Sequence, residues 1–149
     1  MSEGGMMNTR YETDFYGWTQ EQARLLRSGQ LSELDTQNLL EEIEAMGRSE
    51  RRELESRLEV LILHLLKWRY QDTYRGKSWL LTIKEQRRRL ADCLDDNPSL
   101  RNRLDDILNK GYQYARLSAA KETGYNESVF PSTCPWTFEQ IMNTDFFPD

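Results

Sequence analysis

Histidine is nearly missing from this chain of 149 residues: there is one, His64. Cysteine occurs twice, as Cys93 and Cys134, and proline four times. Two cysteines do not frame a disulfide-stapled fold. With one histidine beside them, they do not point to a zinc site, which needs about four ligands. No apolar run approaches the roughly 20 residues of a membrane-spanning helix. Met1 to Thr9 lacks a basic stretch followed by an apolar core, so it does not read as a secretory signal. The expectation is a disordered polar tail over residues 1–10, one helical domain over residues 11–149, and a cytoplasmic setting. Positive charge is also short, with 20 Lys and Arg against 25 Asp and Glu and a net charge of −5. That balance argues against a dedicated nucleic-acid binder, whose affinity comes mostly from neutralising phosphates.

What the chain does have is apolar residues at helical spacing. Aromatics make up 11% and hydrophobics 38% of the sequence, enough to exclude wholesale disorder and to fill one core. From Thr36 to Gln71 the apolar positions form a stripe: Leu39, Ile43 and Met46, then Leu54, Leu58, Leu61, Leu65 and Trp68 at steps of three and four. Asp35 is placed to cap this helix. Gly47 predicts a break or kink, with Ser49 capping a second helix to about Tyr70, although the apolar register survives across the glycine.

Before it, Thr19 and Gln22 have capping-box spacing. Phe15, Trp18, Gln22, Leu25 and Leu26 trace a short helix that Gly29 stops. Ser78 is placed to cap a third long helix with Trp79, Ile83, Leu90 and Leu94 inward, ended by Asn97-Pro98. Asn97 with Pro98 at the first position then starts a fourth. That helix carries Leu100, Leu104, Ile107, Leu108, Tyr114 and Leu117 to Gly124. Beyond Gly124, Phe130-Pro131 and Cys134-Pro135-Trp136 are extended or turn dipeptides. Thr137 and Gln140 can open a short helix through Met142. No segment alternates at period two. The predicted class is all-α: an antiparallel bundle of about four main helices with short N- and C-terminal helical segments. The apolar segment Phe130 to Phe147 is expected to fold back onto it.

Charge is segregated along the chain. Ser28 to Gly47 holds five acids and no Lys or Arg, whereas Lys67 to Arg89 holds eight bases against two acids. Acidic and basic helices lying side by side account for this pattern. A basic face that includes Lys67, Lys77 and Arg87, with Trp68, Tyr70, Tyr74 and Trp79 interleaved, is the alternative, able to meet phosphates and stack bases. Arg87, Arg88 and Arg89 cannot all serve one partner, because successive helical residues fan round by about 100°.

His64 lies among apolar neighbours, where a core histidine bonds one ring nitrogen to a nearby carboxylate or hydroxyl. Ser78, Thr82 and Gln86, four apart, share a helical face and can join His64 and Glu42 in a buried polar network. In the alternative, Ser78 only caps and Thr82 bonds back to its own helix. No nucleophile elbow, phosphate-cradling glycine loop or Glu-x-x-His step is present, so no catalytic residue, metal or cofactor is expected.

Several stretches together carry a family resemblance. They are Tyr11-Glu12-Thr13-Asp14-Phe15-Tyr16-Gly17-Trp18, Asn38 through Glu50, His64-Leu65-Leu66-Lys67-Trp68 and Ser78-Trp79 leading to Thr82-Ile83 and Glu85-Gln86-Arg87. Asn97-Pro98-Ser99-Leu100, Glu122-Thr123-Gly124 and Phe130-Pro131 through Cys134-Pro135 complete the set. In this order they resemble domain-of-unknown-function family 29, DUF29, a family abundant in cyanobacteria and found in other bacteria. The resemblance covers nearly the whole chain from Tyr11 to Pro148. It implies an all-helical bundle and no particular activity. The function expected from all of this is a small cytoplasmic protein acting through protein–protein contacts, as an adaptor or regulatory partner, by an unidentified partner or by self-association. The alternative is a nucleic-acid binder, or a metal-dependent nucleic-acid-processing protein, using the basic 67–89 face with Glu41, Glu42 and His64.

Overall fold

The computed structural model describes residues 10–149. The polar tail expected over residues 1–10 therefore lies outside the described residues, except for Arg10, which is helical. The main elements are α1 (Phe15–Arg27), α2 (Thr36–Tyr70), α3 (Lys77–Asp96), α4 (Leu104–Thr123) and the short α5 (Phe138–Met142). Turns of 3-10 helix stand between them at Leu31–Glu33, Asp72–Tyr74, Pro98–Arg103 and Glu127–Val129. No strand occurs among the described residues, so the class is all-α with four main helices. The contacts divide the chain into a first unit ending at Arg48 and a second, Ser49–Asp149.

In the first unit α1 begins earlier than its sequence suggests. Asp14 is the cap, its carboxylate accepting from the Gly17 amide at 3.1 Å. Thr19, expected to cap, is inside the helix and donates its hydroxyl to the Tyr16 carbonyl instead. The earlier start suits Gly17, because a Cβ there would stand 2.2 Å from an Asp14 carboxylate oxygen. Gly29, at φ +75°, follows the Ser28 cap in the left-handed conformation that glycine adopts without strain. The small core holds Trp18 and Leu25 and two buried polar residues, Gln22 and Asp35. Asp35 accepts from the Trp18 indole at 3.0 Å and from the Asn38 amide at 2.8 Å, while its own backbone N–H donates to Gln22 at 2.9 Å. These four polar groups pair with one another, which is what burial of polar atoms requires. Tyr11 and Phe15 pack their rings against Trp18 at 4.7 and 5.6 Å.

The break expected at Gly47 does not form: α2 is one helix of 35 residues, and Ser49 lies inside it. A single glycine costs a helix interior only about 1 kcal/mol, and the flanking Glu, Ala, Met and Arg residues favour helix. The stripe is a second correction. Leu54, Leu58, Leu61 and Leu65 are fully buried, but Ile43 and Met46 are 58% and 61% exposed, and Leu40 beside them is 56% exposed.

In the second unit, cross-helix contacts give the directions. Asn97 donates to Glu50 and Arg57 to Gln86, while the Lys67 ammonium lies over the Trp79 ring. Rising numbers on α2 thus meet falling numbers on α3, so the two are antiparallel. Lys110 faces Glu55, and Lys67 pairs with Glu122, so α4 runs in the direction of α2 and sequential neighbours alternate. Ile83, Leu90 and Leu94 of α3 are buried, and so are Ile107, Tyr112, Ala115 and Ala119 of α4. α3 starts one residue before Ser78, with Gly76 at the cap position and Ser78 exposed. Pro98 opens 3-10 turns through Arg103, not the α-helix itself. The inward tyrosine of α4 is Tyr112, whereas Tyr114 and Leu117 are half exposed.

The C-terminal segment completes this core. Phe130 and Ile141 are buried in it, with Trp136, Phe138, Met142 and Phe147 packed alongside. The Tyr112 hydroxyl donates to the Pro131 carbonyl at 2.6 Å, and Arg116 and Gln113 donate to Phe130 and Ser132. The short helix α5 forms as its capping box predicts, with Thr137 and Gln140 bonded reciprocally.

Candidate functional site

Of the five residues expected to form one polar network, Glu42, His64 and Gln86 each take a partner outside the set. Glu42, in the first unit, accepts the Tyr11 hydroxyl, and this bond is the main reason the phenol is pushed up to about 12. His64 is half-buried, and its Nδ1–H donates to the Val60 carbonyl one turn back at 2.8 Å. The expected carboxylate or hydroxyl partner is replaced by the helix's own backbone. Burial lowers the His64 pKa, the nearby Lys67 cation adds to this, and the Val60 bond opposes it. Gln86 accepts from Arg57 at 3.4 Å. Ser78 is exposed at the start of α3, and Thr82, four residues on, is half-buried. The spacing of four put these residues on one helical face, but that face does not close over them.

The proposed basic face is also redistributed. Lys77 is exposed at the start of α3. Lys67 is neutralised by Glu122 at 2.8 Å, with its ammonium 4.8 Å from the centre of the Trp79 ring. Arg87 leaves the surface altogether, at 3% exposure. The reason is its register: Ile83, Arg87, Leu90 and Leu94 fall at steps of four, three and four, so Arg87 holds a position on the apolar stripe of α3. That spacing was the signal in the sequence, hidden by the two further arginines after it. Glu41 and Glu42 belong to the first unit and His64 to the second. Among the described residues, no three His, Cys, Asp or Glu side chains are grouped as metal ligands.

Buried Arg87 organises the end of the chain. Its Nε donates to the Ile141 carbonyl and its Nη2 to the Phe146 carbonyl, each at 2.7 Å. Its guanidinium carbon lies 5.2 Å from the centre of the Phe147 ring. Nη1 is buried and has no hydrogen-bond partner among the described residues. Burial pushes the pKa of this group below the ordinary arginine value, but a guanidinium remains charged at neutral pH. A cavity of about 320 Å³ adjoins it, lined by Lys84, Arg87, Arg88, Ala91, Met142 and Thr144.

Elsewhere, chemistry is sparse. Cys93 and Cys134 are free thiols, both with pKa raised by burial, which keeps them protonated and poorly nucleophilic. The other surface feature is the exposed apolar stripe of α2, Leu40, Ile43 and Met46, bordered by Glu44, which stands four residues after Leu40 and so shares its face.

Comparison with known proteins places the chain in a family. The model for the domain of unknown function DUF29 matches residues 10–147, and the protein belongs to that family. No curated protein and no solved structure matches it.

Proposed function

We propose that this is a small cytoplasmic helical protein that works through protein–protein contacts, and that the first unit receives a basic amphipathic helix from its partner. The observation that carries the reading is the exposure of Leu40, Ile43 and Met46 on an otherwise regular helix. Water-exposed aliphatic side chains at helical spacing suit the helix-in-groove mode of recognition. The charge around them selects the partner. Ser28 to Gly47 carries five acids and no base. Asp35 is taken up by Trp18 and Glu42 by Tyr11, which leaves Glu33, Glu41 and Glu44 exposed. A second copy would bring like charges together, whereas a helix with Lys or Arg beside its apolar stripe meets the opposite sign. The two free thiols agree with a reducing compartment.

The test uses a labelled model helix of leucine and lysine at amphipathic spacing, with a sequence-scrambled control, followed by fluorescence anisotropy. Ile43→Ser with Met46→Ser changes only exposed side chains and leaves the fold intact. The ordered peptide is expected to bind, to weaken as salt rises, and to lose about tenfold in affinity against the double variant. Equal binding to wild type and variant refutes the reading. Concentration-dependent dimerisation abolished by the same variant would assign the stripe to self-association instead.

A further inference from the structure

Arg87 is an incompletely satisfied cation. It is 3% exposed, its two bonded nitrogens are spent on neutral carbonyls, and Nη1 has no acceptor among the described residues. No carboxylate pairs with it among the described residues. Buried guanidinium groups are ordinarily matched by an anion or by a full set of acceptors, because an unpaired charge is costly to remove from water. The cavity beside it supplies two more cations and no acid. Lys84 and Arg88 line it, both exposed and neither held in an ion pair among the described residues. Glu85, the carboxylate next to Lys84 in sequence, is engaged by Arg89 at 2.8 Å. Thr144 adds a hydroxyl to the wall, and Ala91 and Met142 add an apolar side.

We propose that this cavity binds a small phosphomonoester, whose phosphate dianion is held by Arg87, Lys84 and Arg88. Arginine presents a planar set of donors suited to phosphate oxygens, and lysine and the second arginine supply charge. Three cations match a dianion. An internal phosphodiester brings one charge and continues on both sides, so a nucleic-acid strand fits this wall less well than a terminal phosphate. A volume of about 320 Å³ has room for more than the phosphate, and the apolar side of the wall faces the rest of the ligand. Nη1 is covered by neighbouring protein atoms, so a lining side chain gives way as the ligand enters. Met142, half-buried and unbranched, is the adaptable one. Because Nε and Nη2 keep Ile141 and Phe146, the ligand and the C-terminal segment share one guanidinium, and binding one steadies the other.

The experiment takes the full chain and titrates it with inorganic phosphate, glucose 6-phosphate, acetate and an oligothymidylate lacking terminal phosphates. Chloride holds the ionic strength constant, and calorimetry and thermal melting give the readouts. Phosphate and glucose 6-phosphate are expected to bind and to raise the melting temperature, with slower amide exchange over residues 141–146. Lys84→Ala with Arg88→Ala alters only exposed side chains, and should leave the ligand-free melting temperature unchanged while weakening binding about tenfold or more. Arg87→Lys, if it folds, keeps the charge, loses the second carbonyl and binds more weakly still. The proposal is overturned if phosphate stabilises no more than chloride, if the double variant binds as well as wild type, or if acetate matches phosphate. Oligothymidylate binding that glucose 6-phosphate does not compete would overturn it in favour of a nucleic-acid surface.

Discussion

At the scale of single residues, His64 and the leucines around it make opposite demands. Burial and the neighbouring Lys67 hold the His64 pKa below 6.5. The unfolded chain, with a pKa near 6.5, therefore takes up a proton more readily than the folded one. Above that pH both states are neutral and the residue contributes nothing. As pH falls below 6.5 the unfolded state is favoured, and the loss is complete once pH lies below the folded pKa. Urea unfolding at pH 7.5 and pH 5 is expected to show a larger drop for wild type than for His64→Gln, and equal drops would exclude this role. Leu61 and Leu65, fully buried, have no such dependence. Leu61→Ala should lower stability by roughly 2–5 kcal/mol, and a melting shift no greater than that of an exposed control such as Leu81→Ala would contradict the packing. Arg87 is the residue least legible in advance. Periodicity put it on the apolar face, but charge argued for solvent, and only the Ile141 and Phe146 carbonyls, more than fifty positions away, reconcile the two.

At the scale of elements, the seam of α2 was readable from Leu54 to Leu65 and misleading at Ile43 and Met46. Spacing reports which residues share a face, not whether another element covers that face. The same limit explains Tyr114 and Leu117, placed inward by hydrophobicity when Tyr112, Ala115 and Ala119 hold the core of α4. The C-terminal helix was recovered to the residue because its signal, a reciprocal capping box, is local. Gly47 belongs to this scale as well. It lies in the exposed interior of α2 with nothing within 4 Å of where a Cβ would stand. Gly47→Ala should raise stability by about 0.5–1 kcal/mol. A decrease on thermal melting would mean that the helix needs its glycine.

At the scale of the whole molecule, the second unit is closed by the segment that follows α4. Phe130 and Ile141 sit in its core, and Tyr112, Arg116 and Arg87 all bond to backbone carbonyls of the closing segment. Truncation after Gly124 should abolish cooperative unfolding followed by circular dichroism. A remainder that still melts sharply would show the segment to be an accessory. Fold class and family were legible from the sequence, since helical periodicity and the family's motifs run through nearly the whole chain. The division at Arg48 was not, because an uninterrupted helix crosses it and leaves no linker to read.

Of the four tryptophans, only Trp18 lies in the first unit. It is buried, with Asp35 accepting from its indole. Trp68, Trp79 and Trp136 belong to the second unit, where Arg75 and Lys67 lie over the Trp68 and Trp79 rings. Each unit thus carries its own optical reporter. With Trp68, Trp79 and Trp136 replaced by phenylalanine, emission from the remaining indole would register the opening of the thin Trp18–Leu25 core alone. Its shift to longer wavelength, set against the loss of helical ellipticity, would separate a unit that loosens early from one that holds to the end.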